Sequence, residues 1–378
     1  DPQVICWKDS KYADRNATKN GARVGGNIED FRAIHFSAVK AKKHFDLDDE
    51  EQKFYQAEVL VKNFIPLEYI TNINNFGILI PNKPKQMQIK LPYTAQITRN
   101  TPTAFIFLID HSVSMQNKTT LYGEEMTKAE AAARIVNAQI NELVLRCIKM
   151  EDTRHYYDIA VIGYGEKAYS GWQGELEGRD FVSPEELKNH PYTKIITRKE
   201  IRTRKGVQIK EIEQVQWITA RHDGSWTHYH AAFDYAKELL DKWMTKHHEQ
   251  DCYPPTIIHI TDGWFNHASL DTVTQKANEL KAMFTNDGNV ILFNIHFTAD
   301  KDATPIACPI SKLELDDDYS KALFDMSSLL PERYNADIAR CLNDTRDGRH
   351  VAMGINADAS TLIKLMDIGT PTNISQNK

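Results

Sequence analysis

Residues 105–115 read Phe105-Ile-Phe-Leu-Ile-Asp-His-Ser-Val-Ser-Met115, an apolar run that ends in a carboxylate followed by two hydroxyls. An unbroken apolar run of this length is typical of a strand that is buried on both faces of a sheet. The pattern Asp-x-Ser-x-Ser then predicts that Asp110, Ser112 and Ser114 lie together at the carboxyl end of that strand. Hard oxygen ligands of this kind suit Mg²⁺, Mn²⁺ or Ca²⁺ rather than zinc or copper.

Beyond this stretch, short apolar segments alternate with segments of helical periodicity. The pattern predicts strands at 104–109, 157–162, 256–261 and 290–297, and helices at 126–146, 227–247 and 270–283. Thr127 followed by Glu130 is a capping signal for the first of these helices. Apolar strands that alternate with amphipathic helices are typical of parallel sheets covered on both faces. The predicted fold class is α/β, doubly wound, with a mostly parallel central sheet flanked by helices.

The 378 residues are enough for one elaborated domain or for two. We predict an N-terminal extension of short strands and turns at 1–100, packed on a main domain at 101–370, and a tail at 371–378. Residues 190–220 alternate apolar and charged residues around Gly206, which predicts an inserted β-hairpin. The cations near its tip either protect a solvated edge or bind an acidic partner, and the sequence leaves both readings open; they are Arg198, Lys199, Arg202, Arg204 and Lys205.

Composition limits the classes of partner and compartment. The net charge of −6 argues against nucleic acid as the main partner, because phosphate backbones require a basic surface. No apolar stretch approaches the roughly 18 residues of a membrane span, and the first residues lack the pattern of a secretory leader. The five cysteines are scattered, which is typical of small buried side chains in a reducing compartment. We therefore expect a cytoplasmic protein that contacts neither nucleic acid nor a membrane.

Two further oxygen-bearing residues follow predicted elements in the same way. Asp262 comes directly after the strand predicted at 256–261, and Thr227 lies at a predicted junction between a loop and a helix. In an open parallel sheet, ligands bind at the carboxyl ends of strands, near the point where the strand order reverses. The alternative is that the two aspartates only cap helices or order turns, and that Thr227 is a plain helix cap.

Together, these residues resemble the metal-ion-dependent adhesion site of the von Willebrand factor A domain family, over about residues 103–300. The resemblance implies a Mg²⁺ ion, with Mn²⁺ or Ca²⁺ as alternatives, that two serines and a threonine coordinate and two aspartates hold largely through water. The ligands implied are Asp110, Ser112, Ser114, Thr227 and Asp262. It also implies an adaptor without catalytic activity, which binds an acidic group of a protein partner by letting that group replace a metal-bound water.

The C-terminal runs at 324–332 and 356–370 resemble those of bacterial intracellular proteins of the same family. Some of these relatives are of the tellurium-resistance type and work beside a kinase and a phosphatase, and others serve MoxR-type AAA+ ATPases. This second resemblance implies a signalling or assembly adaptor.

The chain departs from the family pattern at His111 and Trp226, which either select the partner or serve packing. A runner-up interpretation is a metal-dependent hydrolase, because His222, His228 and His230 surround Thr227 and could bind zinc or activate a hydroxyl. We expect the two rings of a His-x-His at a helix start to diverge, which favours the binding protein. A purely structural domain is the third possibility.

Overall fold

The structure, a computed structural model, describes residues 93–370 except 151, 204–205, 223–225, 264, 266–267 and 299–301. Before residue 93 it describes the strands β1 (Val4–Trp7), β2 (Val24–Gly25) and β3 (Val59–Val61). The chain divides into two compact units, Asp1–Met87 and Gln88–Lys378. In the first unit β1 pairs antiparallel with both β2 and β3. The predicted boundary at residue 100 and the packing of the extension on the main domain stay predictions.

The second unit is built on a seven-stranded sheet. Its chain order begins with β4 (Thr103–Asp110), the hairpin β5 (Lys118–Leu121) and β6 (Glu124–Thr127), the helix α1 (Lys128–Cys147) and the short pair β7 (Ile148–Lys149) and β8 (Asp152–Thr153). There follow β9 (Tyr157–Tyr164), β10 (Ala168–Ser170), α2 (Pro184–Asn189), β11 (Thr193–Thr203), β12 (Gly206–Gln216), α3 (Tyr229–Lys246), β13 (Thr256–Thr261) and α4 (Leu270–Ala282). The remaining elements are β14 (Phe284–Thr285), β15 (Gly288–Asn289), β16 (Ile291–Phe297), β17 (Ile306–Ala307), α5 (Asp318–Met326), α6 (Asn335–Leu342), β18 (Met353–Ala357) and α7 (Ala359–Gly369).

The strand order of this sheet is β10-β9-β4-β13-β16-β18-β17. The five inner strands run parallel, and β10 and β17 pair antiparallel at the two edges. Counted along the chain, the parallel strands have the order 2-1-3-4-5, which places the reversal of strand order between β4 and β13. The predicted α/β class, doubly wound and mostly parallel, is confirmed.

Side chains of β4 alternate between two buried layers, because successive residues of a strand point to opposite faces. Phe105, Phe107 and Ile109 pack with α1 and α7 on one face. Ile106 and Leu108 pack with α3, α4 and α5 on the other face. All eight residues of β4 are buried, so the carboxylate at its end is held in a rigid and dry setting.

The helix α1 begins where its capping signal predicts. Thr127 accepts a hydrogen bond from the backbone N–H of Glu130, whose side chain accepts one in return from the N–H of Thr127. This capping box fixes the position of Lys128, the first residue of α1.

The predicted hairpin is present as the antiparallel pair β11 and β12, in which Thr203 pairs with Gly206. Its base is fixed to α1, because Asn137 accepts a hydrogen bond from the N–H of Trp217 and donates one to the carbonyl of Ile218, both over 2.8 Å. Side chains are not described for residues 196–213, so the role of the cationic tip lies outside the described part.

Two further expectations concern the cysteines and membrane-spanning helices. Cys147, Cys252 and Cys308 are buried, as expected for small apolar side chains. Among the residues that the structure describes, no helix has the length and apolar character that a membrane crossing needs.

Candidate metal centre

The candidate site lies at the carboxyl ends of β4 and β13, which are neighbours at the reversal of strand order. Asp110 is the last residue of β4, and Asp262 directly follows β13. Open parallel sheets leave a crevice at this place, since the connections from the two strands turn to opposite sides of the sheet. The fold therefore brings together two carboxylates that are far apart in the chain.

Asp110 is fully buried and is held by two neighbours. Its Oδ1 accepts a hydrogen bond from the N–H of Ser112 over 2.8 Å, and its Oδ2 accepts one from Oγ1 of Thr261 over 2.9 Å. Thr261 in turn accepts a hydrogen bond from the hydroxyl of Tyr229. Burial raises the pKa of Asp110 to about 6, the bonds from Ser112 oppose this shift, and the charge of Asp262 adds to it. A divalent cation beside Asp110 would stabilise the ionised carboxylate.

The two serines and Asp262 form one hydrogen-bonded group. Ser112 precedes a short 3₁₀ turn, Val113–Gln116, that contains Ser114. The Oγ atoms of the two serines are 3.0 Å apart, and Oγ of Ser114 donates to Oδ1 of Asp262 over 2.6 Å. A serine hydroxyl that donates to a carboxylate keeps its lone pairs available for a cation.

The spacing of the two serine oxygens fits a magnesium site. Neighbouring ligands of an octahedral Mg²⁺ ion, bound at about 2.0–2.1 Å, are roughly 3 Å apart. The Oγ atoms of Ser112 and Ser114 have this separation. The donor set of neutral hydroxyls and carboxylates is also the set that hard cations prefer.

Thr227 is buried and lies two residues before α3. Its loop is attached to the loop after β9, because the N–H of His228 donates to the carbonyl of Gly165 over 3.2 Å. The ring Nδ1 of His228 also lies 2.9 Å from the carbonyl of Glu166. The structure thus brings the threonine to the sheet edge that carries Asp110, while its role as a ligand stays a prediction.

Lys128 is a component of the site that the sequence analysis did not single out. Its ammonium forms an ion pair with Oδ2 of Asp262, and the side chains of the two residues are 6% and 0% exposed. No hydrogen bond of ordinary geometry reaches this oxygen from the described residues. The only signal in the sequence is a lysine at the first position of a helix, where the helix dipole disfavours a positive charge. Thr261, the donor to Asp110, belongs to the Thr-Asp-Gly sequence that ends the predicted strand, but its role as a donor was not predicted.

His111 is turned towards β9 and β10. Its Nδ1 lies 2.5 Å from the hydroxyl of Tyr169, and its ring occupies the space that a Cβ atom on Gly163 would need. Packing is therefore the interpretation that the geometry of His111 supports. Trp226 is 58% exposed beside Thr227, so its packing role is smaller than that of His111.

The histidines of the runner-up interpretation are arranged differently from our expectation. The rings of His228 and His230 do not diverge, since their centroids are 5.2 Å apart, and His222 is exposed. In the part of the chain that the structure describes, no group of three His, Cys, Asp or Glu side chains is placed to hold a metal ion. A zinc site built on these histidines gains no support from this geometry.

Comparison with known proteins gives one family match and several structural similarities. The family model described as "ssDNA thymidine ADP-ribosyltransferase, DarT" matches residues 5–90. No curated protein matches the chain.

Among solved structures, proximal thread matrix protein 1 from the mussel byssus, with a zinc-occupied MIDAS motif, is 14% identical at a TM-score of 0.36, over 71% of this chain and 48% of that one. A von Willebrand factor type A protein from Catenulispora acidiphila is 12% identical at a TM-score of 0.31, over 53% and 34%. The ArnB paralog VWA2 from Sulfolobus acidocaldarius is 14% identical at a TM-score of 0.26, over 55% and 37%. The chain spans less than half the length of each of these structures, and similarity this low assigns no function.

The family match corrects one expectation from the sequence. We expected a binding protein without catalytic activity, and that expectation is wrong, because the model that matches residues 5–90 describes a family of enzymes. The mild net acidity is a property of the chain as a whole, and the site at the sheet edge belongs to the second unit. Neither carries information about chemistry in the first 90 residues.

Proposed function

We propose that the second unit binds an acidic group of a protein partner through a divalent cation. The residues that would hold the cation are Asp110, Ser112, Ser114, Thr227 and Asp262. The observation that carries the proposal is the hydrogen-bonded group of two serine hydroxyls and the Asp262 carboxylate at the reversal of strand order. Mg²⁺ is the cation that we propose, and Mn²⁺ and Ca²⁺ are alternatives of the same oxygen-binding class.

The chemistry of the donor set supports a role in binding an anion. The cation would supply a Lewis-acidic position at which a carboxylate of the partner replaces water. Ser112 and Ser114 contribute neutral oxygens, and the two aspartates balance the charge of a divalent ion without exceeding it. Val113 and Trp226 are 50% and 58% exposed beside the serines and the threonine, so they offer apolar contact area around the acidic group.

Affinity capture with the immobilised chain tests this proposal. We expect a partner to be retained in Mg²⁺, released by EDTA, and not retained by Ser114→Ala. Ser170→Ala is the matched control. Ser170 lies on the edge strand β10, donates to the carbonyl of Arg179 and takes no part in the site. Retention that survives both EDTA and Ser114→Ala would contradict a metal-bridged interaction. The partner classes named from the sequence, a kinase and phosphatase pair or an AAA+ ATPase, stay predictions.

We infer a second function for the first unit, which the match at residues 5–90 to the DarT model supports. The inference is that this unit transfers ADP-ribose from NAD⁺ to thymidine in single-stranded DNA and releases nicotinamide. Incubation of the chain with NAD⁺ and a thymidine-containing oligonucleotide should then add one ADP-ribose mass, with a thymidine-free oligonucleotide unchanged. Absence of the adduct from both oligonucleotides would contradict the inference. Asp110→Asn should retain the activity, since Asp110 belongs to the other unit.

A further inference from the structure

Lys128 is buried in a position that is unfavourable for an isolated charge. It is the first residue of α1, where the partial positive charge of the helix end repels a cation, and its side chain is only 6% exposed. Lysine is almost never buried unless it is paired. The carboxylate of Asp262, itself fully buried, provides that pairing.

The same carboxylate belongs to the group of hydroxyls described above. Its Oδ1 accepts the hydrogen bond from Ser114, which contacts Ser112, while its Oδ2 faces the ammonium of Lys128. A cation held by the two serines and Asp262 would therefore share its carboxylate with a second positive charge. In a setting with little water, two cations on one carboxylate repel each other strongly.

We infer that Lys128 is a resident cation of this centre, and that a divalent ion binds only after it displaces the ammonium from Asp262. The inference rests on the proposed function, because it concerns the same site. Lys128 then sets the metal affinity of the site without being a ligand. Its long, flexible stem allows the ammonium to move to solvent while α1 stays fixed by the capping box.

The direct test measures divalent-ion affinity by calorimetry with Mn²⁺ and Mg²⁺ on the chain after treatment with EDTA. Lys128→Met removes the charge and keeps an unbranched apolar stem, so we expect a dissociation constant lower by about tenfold or more, the factor that corresponds to 1.4 kcal/mol. Lys128→Arg keeps the charge and should bind no more tightly than the wild type. Lys281→Met is the matched control, because Lys281 is a half-buried lysine. It donates to the carbonyl of Asp325, on α5, and to the carbonyl of Ser327, directly after α5. It should leave the affinity unchanged.

A measurement on the wild type avoids dependence on the folding of a variant. Amine-labelling followed by peptide mass spectrometry should find Lys128 protected in EDTA and labelled several-fold more with saturating Mn²⁺. Lys237, a partly exposed lysine paired with Glu279, is the internal reference and should label equally in both conditions.

The outcomes separate this inference from the proposed function. Equal Mn²⁺ affinities of wild type and Lys128→Met, or weaker binding by the variant, would overturn the role of Lys128 and leave the metal site standing. Protection of Lys128 that persists in saturating Mn²⁺ would do the same. Absence of saturable binding in both proteins would overturn the metal site, and the inference with it.

Discussion

Ser114 donates a hydrogen bond from its Oγ to Oδ1 of Asp262 over 2.6 Å, although the two residues are 148 positions apart in the chain. This bond joins the segments that follow β4 and β13, so it links the two sides of the crevice at the reversal of strand order. It also uses the serine hydrogen for the carboxylate and leaves an oxygen lone pair for a cation.

Ser114→Ala should weaken Mn²⁺ binding by at least about tenfold, since it removes a proposed ligand and the hydrogen bond that orients Asp262. Calorimetric titration of the EDTA-treated protein measures this change. Ser170→Ala should bind Mn²⁺ as the wild type does. Equal affinities of Ser114→Ala and wild type would exclude Ser114 as a ligand.

Thr261→Val should destabilise the fold by about 1–3 kcal/mol, the cost of leaving a buried acceptor without its donor. The valine keeps the shape of the side chain but cannot donate to Oδ2 of Asp110. Urea unfolding in EDTA measures the difference. Thr245→Val, at an exposed position on α3, should stay within about 0.5 kcal/mol of the wild type. A similar small effect at Thr261 would show that its hydroxyl does not support Asp110.

Most of the fold could be predicted from local patterns, because four of the five inner strands, β4, β9, β13 and β16, are mostly apolar and α1 carries a capping box. The strand β18 was missed, since Gly354 and Asn356 interrupt its apolar pattern. The edge strands β10 and β17 were missed because they have only three and two residues, respectively, which is too few to show an alternation of apolar and polar side chains.

At the site, Asp110, Ser112, Ser114 and Asp262 could be predicted to meet, because each lies at or just after the carboxyl end of a strand whose place in a parallel sheet is constrained. Lys128 could not, since its pairing with Asp262 depends on how the end of α1 sits over β13. Sequence spacing carries no information about that packing. The match of residues 5–90 to the DarT model was also not anticipated, since it rests on comparison with a family model and not on a short motif.

The stability of the metal-free protein should depend on pH through Asp110. Its pKa is raised from 3.8 to about 6 by burial, so between these values the folded state binds more protons than the unfolded chain. The free energy of unfolding therefore falls as the pH rises through this window. The total fall is about 3 kcal/mol, because each unit of pKa difference corresponds to about 1.4 kcal/mol.

The measurement is the difference in unfolding free energy between wild type and Asp110→Asn, in EDTA, from pH 4 to pH 7. The comparison with the variant removes the contribution of His259. Burial lowers the pKa of His259 to about 4, so this residue destabilises both proteins equally as the pH falls below 6.5. The wild type should lose stability relative to Asp110→Asn as the pH rises. A constant difference would mean that Asp110 titrates normally.

Gly163→Ala should destabilise the fold by about 1–3 kcal/mol, because the added methyl would overlap the ring of His111. His111→Ala, which removes that ring, should offset much of the loss in the double variant. Thermal or urea unfolding of the two single variants and the double variant measures the coupling. Additive losses would show that His111 does not occupy the space beside Gly163.

Electron paramagnetic resonance of Mn²⁺ added to the EDTA-treated chain reports directly on the proposed cation site. We expect one saturable Mn²⁺ per chain, displaced by Mg²⁺ and lost in Asp262→Asn. Free Mn²⁺ throughout the titration, or one bound ion in both wild type and Asp262→Asn, would contradict a divalent-cation site at Asp110, Ser112, Ser114 and Asp262.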